Sequence, residues 1–63
     1  MEWTDYIHAD EQILDGKPIF KGTRLSVEHI LERLTDGWTL EQIYENYPRL
    51  TFIHMQALFA YLS

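Results

Sequence analysis

Three times in its C-terminal two thirds, the chain places an apolar residue before a Ser or Thr and another apolar residue four positions past that hydroxyl. The three instances are Leu25-Ser26…Ile30, Trp38-Thr39…Ile43 and Leu50-Thr51…Met55. Each is an N-cap with a hydrophobic staple. The hydroxyl accepts from an amide that lacks a partner in the first helical turn, and the flanking apolar pair packs together and sets the approach angle of the chain. Thr39 has Gln42 three residues on, which completes a capping box. Three such starts predict three helices.

The stretches that follow have the period of helices. Val27, Ile30, Leu31 and Leu34 recur at i, i+3, i+4 and i+7, predicting a helix from Val27 to Asp36 with Glu28, His29, Glu32 and Arg33 outward. Gly37 fits a left-handed stop. Leu40, Ile43, Tyr44 and Tyr47 form the second apolar face, ended by Pro48. The third helix, Phe52 to the end, has only His54 and Gln56 as polar residues before Ser63. Ahead of the helices, Tyr6–Ala9 and Pro18–Phe20 are short apolar runs parted by the turn signal Asp15-Gly16. Pro18 cannot donate to a ladder, so its strand is an edge or begins there. Gly22 is placed to redirect the chain with a positive φ. The expected fold is mainly α and a single domain over residues 1–63. A short N-terminal β-hairpin segment (6–24) precedes a three-helix, helix-turn-helix-like bundle (26–63).

Size then limits what such a fold can do alone. Sixty-three residues without cysteine bury only about 60% of the surface their unfolded chain exposes, and scaffolds of this length usually need a staple. An all-round apolar third helix cannot be enclosed by two short helices and a hairpin, so its spare face is expected to meet another chain. Phe52, Met55, Phe59 and Leu62 form one row for such an oligomer contact, and Ile53, Ala57 and Ala60 a second.

Charge narrows the partners. The formal net charge is −5, which argues against broad phosphate binding. Its distribution is uneven. Residues 1–16 hold five acids and no base, whereas Lys17, Lys21 and Arg24 fall within eight positions free of acid. Arg24 has two readings: its fork anchors the hairpin to Asp36 or to a helix C-terminus, or it reaches an acidic partner together with Lys17 and Lys21. The second and third helices with the turn around Tyr47-Pro48-Arg49 resemble a helix-turn-helix, and Arg49, Thr51, His54 and Gln56 are then the candidates for DNA contact.

Chemistry has little to work with. Ser26 is a cap and Ser63 the last residue, there is no thiol, and no His pair has the i, i+4 spacing of a helical metal site. No catalytic residue, metal site or cofactor is expected. The chain shows neither an apolar run of membrane-spanning length nor a basic-then-apolar signal pattern, and a soluble cytoplasmic protein is expected.

Three blocks carry a family resemblance: Gly16-Lys17-Pro18-Ile19-Phe20-Lys21-Gly22-Thr23-Arg24-Leu25-Ser26-Val27, Asp36-Gly37-Trp38-Thr39-Leu40-Glu41-Gln42-Ile43, and Tyr47-Pro48-Arg49-Leu50-Thr51. Together they resemble the family called domain of unknown function 433, over residues 6–61. The resemblance implies a small prokaryotic protein with a helix-turn-helix-like three-helix fold that serves as an antitoxin beside a PIN-like nuclease toxin. It names no catalytic residues. It carries over Lys17, Pro18, Gly22, Thr23 and Arg24 as a contact surface, with Lys21 between them. Family members usually continue past Tyr61 by a helical turn or more, whereas this chain ends at Ser63. The expected function is a non-enzymatic, antitoxin-like module that oligomerises and neutralises a PIN-like nuclease. The alternative is a helix-turn-helix regulator that binds its own promoter DNA.

Overall fold

A computed structural model describes all 63 residues. Its order is strand β1 (Ile7–His8), strand β2 (Ile19–Phe20) and helices α1 (Val27–Thr35), α2 (Leu40–Asn46) and α3 (Phe52–Leu62). Single 3-10 turns lie at Trp3–Asp5 and Leu14–Gly16. No helix is long and apolar enough to cross a membrane.

The hairpin is shorter at its strands and longer in its loop than the sequence pattern predicts. Only Ile7↔Phe20 and His8↔Ile19 pair. Asp15-Gly16 does turn the chain, but within a left-handed run in which Leu14, Asp15 and Gly16 have φ of 50°, 57° and 81°. Asp10 prepares it by accepting the Gln12 amide at 2.9 Å. Beyond β2 the chain turns again, and Ile19 bridges Ser26 while the Phe20 amide donates to the Leu25 carbonyl at 3.0 Å. β2 is therefore flanked on both sides. Pro18 stands at its start, where its missing donor costs nothing, and its carbonyl accepts the Val27 amide at 2.9 Å.

All three helices begin where the staples place them. Ser26 Oγ accepts the His29 amide at 3.0 Å and Thr39 Oγ1 accepts the Gln42 amide at 3.2 Å. In α2 the capping box closes when the Thr39 amide donates to Gln42 Oε1 at 2.8 Å. Helix α1 stops one residue earlier than its period predicts. The Gly37 amide donates to the Leu34 carbonyl and the Trp38 amide to the Arg33 carbonyl, with Gly37 at φ 94°. This is a Schellman ending, sealed by Arg33 stacking over the Trp38 ring at 5.7 Å.

The core gathers residues from every element: Ile7, Phe20, Val27, Ile30, Ile43, Leu50, Met55, Ala57 and Leu58. Helix α3 lies mainly against the N-terminal segment, where Trp3 meets Tyr61 edge to face at 4.9 Å. Met55 is not part of the outer row assigned to it, being 1% exposed. Its staple partner Leu50 is also in the core, and packing against Leu50 draws Met55 inward. Ala57 is likewise buried. His29, expected outward, is half-buried with a ring nitrogen 2.9 Å from the Tyr47 hydroxyl, because Tyr47 folds back over α1 from the end of α2.

Two turn positions make opposite predictions. A Cβ at Gly22 would meet nothing within 4 Å, so only its φ of 81° demands glycine. Gly22→Ala should lower stability by about 1 kcal/mol, the left-handed penalty less the entropy gained in the unfolded chain. Leu14 is a branched residue in that same left-handed region and is half exposed. Leu14→Gly should therefore be neutral or stabilising by up to about 1 kcal/mol. Urea unfolding followed by circular dichroism measures both.

Candidate functional site

The turn Lys21–Arg24 is the most heavily braced loop in the protein. The Lys21 amide donates to the Tyr6 carbonyl at 2.8 Å and the Thr23 amide to the Phe20 carbonyl at 3.1 Å. Thr23 Oγ1 donates to the Phe20 carbonyl at 2.8 Å and accepts the Leu25 amide at 3.0 Å. Gly22 provides the left-handed φ and Thr23 the internal cross-link, so these two residues shape the turn. Arg24, next along, forms no hydrogen bond or ion pair within the chain and is exposed. Asp36, one anchor the sequence allowed it, is held by Arg33 at 3.2 Å.

A histidine ties this turn to α3. His54 Nδ1 accepts the Thr51 amide at 3.1 Å, and its Nε2 lies 3.1 Å from the Lys21 carbonyl. An accepting Nδ1 leaves the proton on Nε2, which therefore donates to Lys21. Phe20 meets the same ring edge to face at 5.8 Å. His54 thus plays in α3 the part that Gln42 plays in α2, and in addition holds the hairpin. Both nitrogens of this candidate for DNA contact are committed to the fold, and Thr51 is engaged with it.

Tying these segments together brings Arg24 next to Arg49. Gly22, Thr23, Arg24 and Arg49 line an open concavity of about 550 Å³. A smaller hollow continues past Arg24 and Arg49 to Asn46, Tyr47 and Pro48. On the other side of Arg24, a third hollow is lined by Gln12, Ile13, Leu14 and Ile19. No acidic residue lines any of the three.

The other cations are neutralised elsewhere. Lys17, expected in the basic patch, lies 3.0 Å from Glu28. That hydrogen bond and charge, with smaller help from Asp15 and Glu32, hold its ammonium above the usual lysine range. The contribution is present at neutral pH and fades only as pH climbs through the raised value. Asp36 likewise raises Arg33. Lys21, Arg24 and Arg49 are the cations left without an ion pair, and Arg24 and Arg49 share this concavity. Arg24, assigned to a protein partner, and Arg49, assigned to DNA, thus line one concavity.

On the side of α3 away from its buried face, Phe52 and Phe59 are 61% and 49% exposed with Gln56 between them, and Leu62, in line with Met55 at the last helical residue, is 52% exposed. Three of the four residues proposed for oligomer contact are therefore available. Sequence reasoning passed over Ile13 and Leu14. Their signal was two adjacent large apolar residues in a loop otherwise built of polar ones.

The family model described as "Protein of unknown function (DUF433)" matches residues 7–62, nearly the whole chain, and the chain belongs to that family. Neither a curated protein nor a solved structure gives a significant match.

The bridging role of His54 has a direct test. His54→Ala removes a cap and a tie to the hairpin and should cost about 1–3 kcal/mol in urea unfolding. His54→Gln, which can take the Thr51 amide as Gln42 takes that of Thr39, should recover part of the loss. Equal losses in both variants would show that the cap contributes little.

Proposed function

With that family membership as premise, we propose that this chain is a non-enzymatic, antitoxin-like protein-binding module of the cytoplasm. It self-associates through the outer face of α3 and neutralises a PIN-like nuclease. The observation that carries the protein-binding reading is the composition of that face. Helix α3 contains no charged residue, yet it displays Phe52, Phe59 and Leu62 to solvent on a protein of net charge −5. Apolar side chains grouped on one helix face favour burial against another polypeptide, and two acidic chains repel least across their uncharged surface. The choice of nuclease rests on the resemblance of the signature blocks. Such an enzyme gathers carboxylates around its metal, and unpaired guanidiniums are their natural counterparts.

The DNA-binding alternative has thinner support. With His54 and Thr51 occupied at the helix start, Arg49 and Gln56 are what remains of the proposed reading surface, and the preceding helix α2 carries Glu41 and Glu45 and no cation.

Two measurements test the proposal. Co-expression with a PIN-like nuclease encoded beside this chain should restore growth and yield a complex that co-purifies; a nuclease that stays toxic and unbound refutes the antitoxin role. Analytical ultracentrifugation should find the wild type as a dimer or larger. The double variant Phe52→Glu, Phe59→Lys should sediment as a folded monomer, because both positions are exposed and an acid in the first turn and a base in the last suit the helix dipole. A wild-type monomer at every concentration would remove the α3 interface.

A further inference from the structure

We propose that the hollows on the two sides of Arg24 form one docking site for a short segment of a partner protein that carries carboxylates beside an apolar side chain. The proposal rests on the protein-binding reading above and supplies the chemistry of the partner's contacting segment.

The charge distribution is the first support. Two of the five lysines and arginines are paired, Lys17 with Glu28 and Arg33 with Asp36, whereas Lys21, Arg24 and Arg49 have no such partner. Arg24 and Arg49 share a polar concavity of about 550 Å³ that contains no acid. A guanidinium can take a carboxylate through two parallel hydrogen bonds, and two guanidiniums at one concavity can hold a pair of acids. The loop bearing Arg24 is already braced by Thr23 and by His54 on the Lys21 carbonyl. Little backbone freedom is then lost when the site fills.

The second support is independent of charge. Across Arg24 lies a hollow of about 390 Å³ with Ile13, Leu14 and Ile19 in its wall. Leu14 is held there half exposed with φ of 50°, and Asp15 follows at φ of 57°. Non-glycine residues enter this region at a steric cost, and the fold accepts that cost while leaving an apolar side chain in water. An apolar side chain from a partner would cover Leu14 and Ile13 while its neighbouring acid reached Arg24.

This combination selects a polypeptide over a nucleic acid. A phosphate backbone needs a track of cations, but the chain offers three unpaired ones on an acidic body. The hollow beside Arg24 is aliphatic and offers no aromatic face on which a base could stack.

The test is panning of a random-peptide display library on the immobilised full chain, counter-selected on the double variant Arg24→Gln, Arg49→Gln. Peptides enriched on the wild type should place Asp or Glu next to a large apolar residue. Binding of a labelled consensus peptide, read by fluorescence anisotropy, should fall about tenfold to a hundredfold for either arginine variant. It should fall several-fold for Leu14→Gly and hold for Lys17→Gln. Enrichment of basic or uncharged peptides, binders indifferent to the arginines, or displacement by a single-stranded oligonucleotide at equal potency would each overturn the proposal. Ultracentrifugation of the same variants separates this outcome from the α3 interface. An oligomer that persists while peptide binding is lost supports the site. Dissociation caused by the arginine changes would mean that a second copy fills it, which also overturns the proposal.

Discussion

The imidazole of His54 is the joint on which the arrangement of this protein depends. One nitrogen starts α3 by accepting the Thr51 amide, and the other holds the carbonyl of Lys21 in the turn that follows β2. Phe20 and Tyr6 close around its edges. Without this joint, the two segments that carry Arg24 and Arg49 would be related only through the shared core. With it, hydrogen bonds orient both loops, and two like charges are kept at one corner. Like charges so placed repel, so their persistence in a small protein depends on a framework stiff enough to hold them.

That framework is built with little stability to spare. A chain of 63 residues has roughly 3–9 kcal/mol of folding free energy at ordinary values per residue. Against that, the fold carries left-handed backbone at Leu14 and Asp15 and leaves Phe52, Phe59 and Leu62 in solvent. These features lie away from the buried core, at two separate places. Tight capping at three helix starts and the Schellman ending at Gly37 offset them within the chain. Association with other chains would offset them further, since burying the α3 face adds apolar area that the monomer cannot enclose.

Much of this was legible along the chain, and the reasons are local. Staples and caps act over four residues, so Ser26, Thr39 and Thr51 mark the helix starts without reference to anything distant. Gly37 and Gly22 are similarly local, since each answers a single dihedral angle. The site was harder to see because it depends on contacts between distant positions. Lys17 looks like part of a basic patch until Glu28, on α1, takes its charge. Met55 satisfies an outer apolar row and an inner staple equally well on paper, and only packing against Leu50 decides between them. Along the chain His54 reads as one polar residue of a DNA-facing helix, because its contact with Lys21 lies 33 residues away.

Local sequence specified the number of helices, their starts, the left-handed stop at Gly37, the existence of a hairpin, and the presence of a helix too apolar to be wholly covered. Those features follow from hydrogen-bonding capacity and hydrophobic period within a few neighbouring residues. Tertiary structure alone decided which cations remain free, and that Arg24 and Arg49 become neighbours. It also decided that one side of α3 is core while the other stays open. Each of these is a choice between competing partners, and such competition is settled only when distant segments are brought to within a few ångströms.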